Sequence, residues 1–481
     1  MLGGLSTGMA EALSLIMRFA STAVLARLLV PEHFGLIAMV TAVISIVDRF
    51  KDFGLSDATI QRENLTKAQL GTISWIVFAL GGVLTVCMVA ISPVLAWWYD
   101  DQRVTGIVVG YSFTLFLAAL TIQHQAILRR EMRFTALALI QICATIVGIA
   151  VGIALALQGY GYWALVWKDL TTGVVMAIGT WIAYPWFPSP PVRGSGVASM
   201  LLFGRDVTVF NIVFFVSRSL DQIVLGKFWG AAIAGIYRQA YQLITMLITQ
   251  IQFPFSHVSV STLSQLQGNP ERYRRCYAKY LSVLLFISMP VAVYFAIFSE
   301  NIVNILLGAQ WIQAGPVVRA LAIGAFIHPV AESIGLVLFT LGQTNRYCRW
   351  GIMNAIFRVA AIVIGLQWGL LGIAIASAGA SYLIAITSLV FSLRGTPISG
   401  MSVVKEMYSP MLGSLAMGMI LILSARNSDW ISSPAGTPIS LCLAAVAYCF
   451  IWYFFPDGKQ RLAEYLSYPY EAVRAFSTSR R

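Results

Sequence analysis

The residues of this chain able to do chemistry are the charged side chains that stand inside its long apolar runs. Glu11 and Arg18 lie seven apart in the first run and share a helix face. Asp48, Arg49, Lys51 and Asp52 close the second. Lys168 and Asp169 are neighbours in the sixth, on different faces. Arg205, Asp206, Arg218 and Asp221 share the seventh, where Arg218 and Asp221 are spaced to pair directly. Arg238 and His257 follow, then Arg319, His328 and Glu332 around Pro329, then Arg358.

A charge at bilayer depth costs at least ~2.5–3.5 kcal/mol on insertion scales, so each is a site hypothesis. Arg27, Arg49 and Arg205 lie near enough to a run end to snorkel to the interface. Arg18, Lys168 and Arg358 stand roughly eight or more residues from an end, beyond easy snorkelling. Arginine's planar fork matches phosphate bidentately, so a wet cavity lined by arginine suits an anionic solute or a lipid head group. The candidate substrate-binding residues are Arg18, Arg49, Lys168, Arg218 and Arg358. Glu11, Asp221 and Glu332 are candidates for charge pairing or cation coupling, although Arg218–Asp221 reads equally well as a structural pair.

The elements that position these residues are membrane spans. The chain has 481 residues, of which 58% are hydrophobic and 11% charged, and its mean hydropathy is +0.78. A soluble domain carries roughly 25% charged residues, so this chain has too little polar surface to be soluble. Apolar stretches near the ~20 residues that span a bilayer repeat from end to end. They predict helices at 7–29, 34–56, 68–98, 104–127, 134–158, 161–184, 198–228, 232–265, 274–307, 313–341, 347–367, 370–394, 404–425 and 435–455. Barrel strands are excluded by the length and evenness of the runs. The first run lacks a preceding basic segment and carries Glu11 and Arg18, so it reads as a span rather than a cleavable signal.

Net charge is +12. The basic residues concentrate in alternate connectors: Lys51, Arg62 and Lys67; Arg129, Arg130 and Arg133; Arg193; Arg272, Arg274, Arg275 and Lys279; Arg346 and Arg349; Lys405; and the C-terminal tail. The opposite side offers little beyond Arg103, Lys227 and Arg426. The positive-inside rule then places both termini in the cytoplasm and removes nucleic acid as the reason for the charge. The six cysteines show no metal-ligand spacing and read as small packing residues.

One Pro/Gly/Ser-rich segment, YPWFPSPPVRGSG from Tyr184, separates two halves that look related. A shift of 200 residues puts Arg18 on Arg218, Arg27 on Lys227, Gly35 on Gly235 and Leu36 on Ile236. Repeated halves with a site between them are a common transporter plan. The expected organisation is a six-helix lobe at 1–185, a cytoplasmic linker at 186–197, a second six-helix lobe at 198–396, two extra spans at 397–456 and a basic tail at 457–481.

Enzymatic motifs are absent: there is no phosphate-binding glycine loop, no GxSxG, and His33, His124, His257 and His328 form no HExxH. The connectors are too short to carry the extramembrane loop expected of a glycan polymerase or ligase.

The stretch RSLDQIVLGKFWGAAIAGIYRQAYQL from Arg218, with ARLLVPEHFG from Ala26, Phe53-Gly54-Leu55, Ile60-Gln61 and LGAQWIQA from Leu307, resembles the Wzx/PST-type polysaccharide flippases of the multidrug/oligosaccharidyl-lipid/polysaccharide superfamily. The resemblance implies an all-α membrane protein with two six-helix lobes in a V around a central cavity, plus two C-terminal helices. It implies a flippase that moves undecaprenyl-diphosphate-linked oligosaccharide across the bacterial inner membrane for exopolysaccharide, capsule or lipopolysaccharide assembly, by alternating access and without catalysis. No cofactor is expected; coupling to a proton, a sodium ion or the membrane potential stays open, and a polysaccharide polymerase and a chain-length regulator are the implied protein partners. The alternatives are a multidrug/cation antiporter of the same superfamily and a membrane glycan polymerase or ligase.

Overall fold

The computed structural model describes residues 2–51, 55, 56, 59, 66–192, 198–428, 433–455 and 458–462, with the side chains of all of these except 2–12, 198–218, 253, 254, 257 and 258. Helices fill it: α1 (Leu2–Leu28), α2 (Pro31–Asp48), α3 (Lys67–Tyr99), α4 (Arg103–Arg130), α5 (Phe134–Leu157), α6 (Trp163–Ala183), α7 (Ala198–Gln265), α8 (Pro270–Ile297), the short α9 (Ser299–Leu306), α10 (Ala314–Thr340), α11 (Thr344–Gly365), α12 (Gly369–Thr387), α13 (Gly400–Asn427) and α14 (Thr437–Tyr453). Among the described residues, nine helical segments are long and apolar enough to cross a membrane. The helix Trp163–Ala183, which carries Lys168 and Asp169, is not one of the nine.

Local chemistry sets the helix ends. Thr66 and Gln69 form a reciprocal capping box at the start of α3, with Oγ1 accepting the Gln69 N–H at 3.2 Å and Oε1 accepting the Thr66 N–H at 3.1 Å. Asn269 caps α8 through the Arg272 N–H, just before Pro270 at the first helical position. The break expected near 230 is present inside α7, where Gly230 adopts φ 79° and ψ 174°. An L side chain is strained at that φ, so glycine is what lets the two stretches meet there. The 274–307 run is likewise divided, at Phe298 between α8 and α9.

The chain gathers into two compact units, Met1–Arg238 and Gln239–Arg481. The first unit therefore takes in α7 as far as Arg238. A direct backbone crossing ties that part of α7 to α2. A Cβ on Gly35 would lie 1.6 Å from the Ala231 carbonyl oxygen, and one on Gly235 would lie 2.0 Å from that of Pro31. The two glycines that coincide under the 200-residue shift thus meet each other. In the second unit, α8, α10 and α12 enclose an apolar core that includes Tyr273, Tyr277, Leu284, Val330, Ile334 and Ile384. Hydroxyl pairs within it join α8 to α10: Tyr277 Oη with Ser333 Oγ at 2.9 Å, and Tyr273 Oη with Thr340 Oγ1 at 2.7 Å. A buried phenol needs such a partner. A separate cluster packs α13 and α14 against α8, around Trp452, Tyr448 and Met417.

Candidate functional site

The exposed apolar stripe of each span reports which face meets lipid, and the charges can be placed against it. On α1 the stripe runs through Leu13, Ile16, Ala20 and Val24. Arg18 points the other way. Within about 60° of it around the helix lie Ser14, Ser21 and Leu25, all buried. Arg18 is nevertheless exposed, and among the described residues it makes no ion pair or hydrogen bond. It opens into space on the protein-facing side of its helix.

Arg358 repeats the pattern on α11. Ile352, Ile356 and Val363 are exposed, while Arg358 shares the opposite face with Asn354 and buried Ala361 and Ile362. Its Nη2 lies 3.5 Å from His328 Nε2 on α10. The same His328 nitrogen lies 3.6 Å from Glu332 Oε1. Two of the candidate charges, Arg358 and Glu332, are thereby brought together through a histidine. A cavity of about 240 Å³ opens beside Glu332.

In the first unit the structure assembles a network whose centre is Asp169 on α6. Asp169 faces away from the exposed residues Trp167, Val174 and Ile178, whereas Lys168 lies at the margin of that stripe. Tyr111 Oη, on α4, donates to Asp169 Oδ2 at 2.7 Å. Lys168 Nζ reaches Asp169 Oδ1 at 3.2 Å. Adjacent residues leave a helix on different faces, but the lysine stem is long enough to fold back. Arg238, on α7, sits in the field of both Asp169 and Tyr111 and donates through Nη1 to Thr41 Oγ1 on α2. Arg238 was read from the sequence as an embedded charge without an assigned role, and Tyr111 was not read as a candidate at all. A tyrosine and an arginine more than a hundred residues apart carry no local signal that they converge.

The remaining candidates separate. Arg49 is exposed at the C-cap of α2, one position past the last helical residue, so it sits at a helix end rather than at depth. Asp221 is 5% exposed, and its Oδ1 accepts the Gln222 N–H at 2.8 Å. The side chains of Glu11 and Arg218 lie outside those described.

Among the sparse cations of the opposite connectors, Arg103 is matched by acids. Arg103 Nη2 pairs with Glu32 at 2.5 Å and with Asp101 at 2.7 Å. The Arg103 side chain, hydrogen-bonded to Asp101, holds that carboxyl below the usual carboxylate range. Arg319 Nη2 pairs with Glu300 at 2.9 Å.

Comparison with known proteins then settles the family. The polysaccharide biosynthesis protein family matches residues 24–316. The chain belongs to that family. The lipopolysaccharide biosynthesis protein WzxC of Escherichia coli is 24% identical over 357 residues, 72% of this chain and 70% of that protein. The teichuronic acid biosynthesis protein TuaB of Bacillus subtilis is 23% identical over 85% of this chain and 86% of its own length. Among solved structures, the lipid II flippase MurJ in an inward closed conformation has the same fold, with a TM-score of 0.75 at 15% identity over 92% of this chain and 97% of that one. Among the described residues the regular structure is all helical, and the chain is a multi-pass membrane protein of the polysaccharide biosynthesis family.

Proposed function

We propose that this protein is a flippase for undecaprenyl-diphosphate-linked oligosaccharide repeat units, serving exopolysaccharide, capsule or lipopolysaccharide assembly. A diphosphate and a hydrated glycan cannot enter hydrocarbon unaided. A cationic, water-filled cavity replaces the lost hydration of the phosphates while the prenyl tail stays in lipid. The observation that carries this reading is the placement of Arg18 and Arg358, each on the face of its span opposite the exposed apolar stripe, with Arg18 unpaired among the described residues. An unpaired guanidinium turned inward at bilayer depth is costly without an anion to receive. Other related proteins are named as a succinoglycan biosynthesis transport protein and a probable low-salt glycan biosynthesis flippase, which favours a transporter.

In this proposal Arg18, Arg218 and Arg358 receive the diphosphate, with Arg49 and Lys168 at its approach. Glu11, Asp221 and Glu332 balance charge or bind a coupling cation, and a proton, a sodium ion or the membrane potential drives alternating access. The protein sits in the bacterial inner membrane with both termini in the cytoplasm, because basic residues crowd one set of connectors. Acid pairing of Arg103 on the other set supports that orientation. A polymerase and a chain-length regulator would take over the delivered repeat units.

The test is a deletion strain. Lipid-linked repeat units should accumulate on the cytoplasmic leaflet, and purified protein in proteoliposomes should carry them across. Hypersensitivity to cationic drugs without that accumulation would instead point to a multidrug antiporter.

A further inference from the structure

The cavity beside Glu332 has a composition that the binding of a diphosphate does not explain. Its lining includes Gln252, Ser256, Tyr280, Glu332, Tyr347 and Trp350. One wall is aromatic: Tyr347 and Trp350 line it, with their rings stacked at 5.7 Å between centroids and 27° between planes. The one polar atom of the indole is already committed, since Trp350 Nε1 donates to Ser388 Oγ at 2.9 Å. What the indole offers the cavity is therefore carbon. Gly335 seats it, because a Cβ there would lie 2.6 Å from Trp350 Cη2.

The other side of the cavity is polar. Among the described residues, Gln252 Nε2 is buried with no hydrogen-bond partner. A buried donor left unpaired is destabilising, and a ligand that supplies the acceptor would account for it. Ser256 Oγ donates to the Gln252 carbonyl at 2.8 Å and keeps its lone pairs for a further donor. Glu332 presents a carboxylate that is 38% exposed.

Aromatic rings beside a carboxylate can also cage an amine. Here the carboxylate already faces His328, and His328 faces the Arg358 guanidinium. An organic ammonium filling the cavity, unlike a small coupling ion at Glu332, would meet that arginine, which disfavours it. A neutral, hydroxyl-rich ring meets no such penalty. The volume of about 240 Å³ falls below the roughly 300–1,000 Å³ of sites for drug-sized ligands, so one ring fits rather than a chain.

We infer that this cavity is a subsite for a single pyranose unit of the glycan, with the sugar's C–H face on Tyr347 and Trp350 and its hydroxyls on Gln252, Ser256 and Glu332. The inference rests on the flippase reading and deepens it, since it assigns the glycan a reader separate from the cations that take the diphosphate.

The experiment compares two probes on purified protein in nanodiscs: bare undecaprenyl diphosphate, and the glycan-bearing carrier extracted from the deletion strain. Tyr347→Leu should weaken the glycan-bearing carrier about tenfold and leave the bare lipid unchanged, with Tyr347→Phe close to wild type. Gln252→Met removes the unpaired donor. It should keep or raise the melting temperature while selectively weakening the glycan-bearing carrier, which separates recognition from folding. Equal losses on both lipids, or none on either, overturn the subsite alone. With tetramethylammonium as a third probe, selective loss of its binding in Tyr347→Leu, with the glycan-bearing carrier unaffected, overturns it in favour of an ammonium site. Wild-type protein that binds neither lipid overturns the flippase reading and the subsite with it.

Discussion

Replacing Asp169 by asparagine removes one negative charge while keeping the shape of the side chain and an oxygen for Tyr111. In the native protein Asp169 accepts from Tyr111 at 2.7 Å and from Lys168 at 3.2 Å, with Arg238 nearby. At an effective dielectric of about 20, charges 3.2 Å apart attract by roughly 5 kcal/mol. Asp169 is 40% exposed and Lys168 27%, so water screens much of that attraction. The net loss should fall between the ~1 kcal/mol of a surface pair and the ~3–5 kcal/mol of a broken buried pair; we expect about 2 kcal/mol. Part of this loss is the strain of leaving Lys168 and Arg238 as cations without their shared acid. Lys168→Met in the asparagine background should therefore recover about half of the loss, because it withdraws one of the two cations. The assay is denaturation of the purified single and double variants in mixed micelles. An asparagine variant within ~0.5 kcal/mol of wild type, or a double variant less stable than the single, would refute the view that Asp169 is the counter-charge of this network.

Three further outcomes are expected. Arg18→Ala should leave stability nearly unchanged, because the guanidinium is unpaired, yet lower transport of lipid-linked oligosaccharide by roughly ten- to a hundredfold; Arg18→Lys should restore part of it, as a point charge lacks the bidentate fork. Gly35→Ala and Gly235→Ala should each cost about 2–3 kcal/mol in the same micelle assay, because each Cβ would sit within 2.0 Å of a carbonyl oxygen across one crossing, and the double variant should cost less than the sum. Asp101 has its folded pKa depressed, so its contribution is fully present above the unfolded value of about 3.9 and is lost as pH falls through the folded one; Asp101→Asn should flatten the acid end of the melting-temperature profile and change nothing at neutral pH beyond ~1 kcal/mol.

The spans were legible in the sequence because lipid admits one solution: long apolar runs must be helices that satisfy their own backbone. The break at Gly230, the capped starts of α3 and α8 and the order of the helices all follow from local chemistry. The embedded charges were legible for the same reason, as rare residues in an apolar background. Even the Gly35–Gly235 correspondence showed as a faint repeat, although nothing in the repeat said that the two glycines would touch.

Tertiary structure alone decided which charges act together. Lys168 and Asp169 are neighbours in sequence and look independent on a helical wheel, yet a bent lysine stem joins them and Tyr111 and Arg238 arrive from other helices. Arg358 and Glu332 stand on separate spans and meet only through His328. Sequence spacing fixes which face of one helix a residue occupies, because the period is set by the backbone. The direction in which that face points is fixed by how the helices pack, and that depends on contacts between residues far apart in the chain. Depth in the bilayer was therefore readable from composition, whereas inward or outward orientation waited for the exposed stripes of α1 and α11 to show where lipid lies.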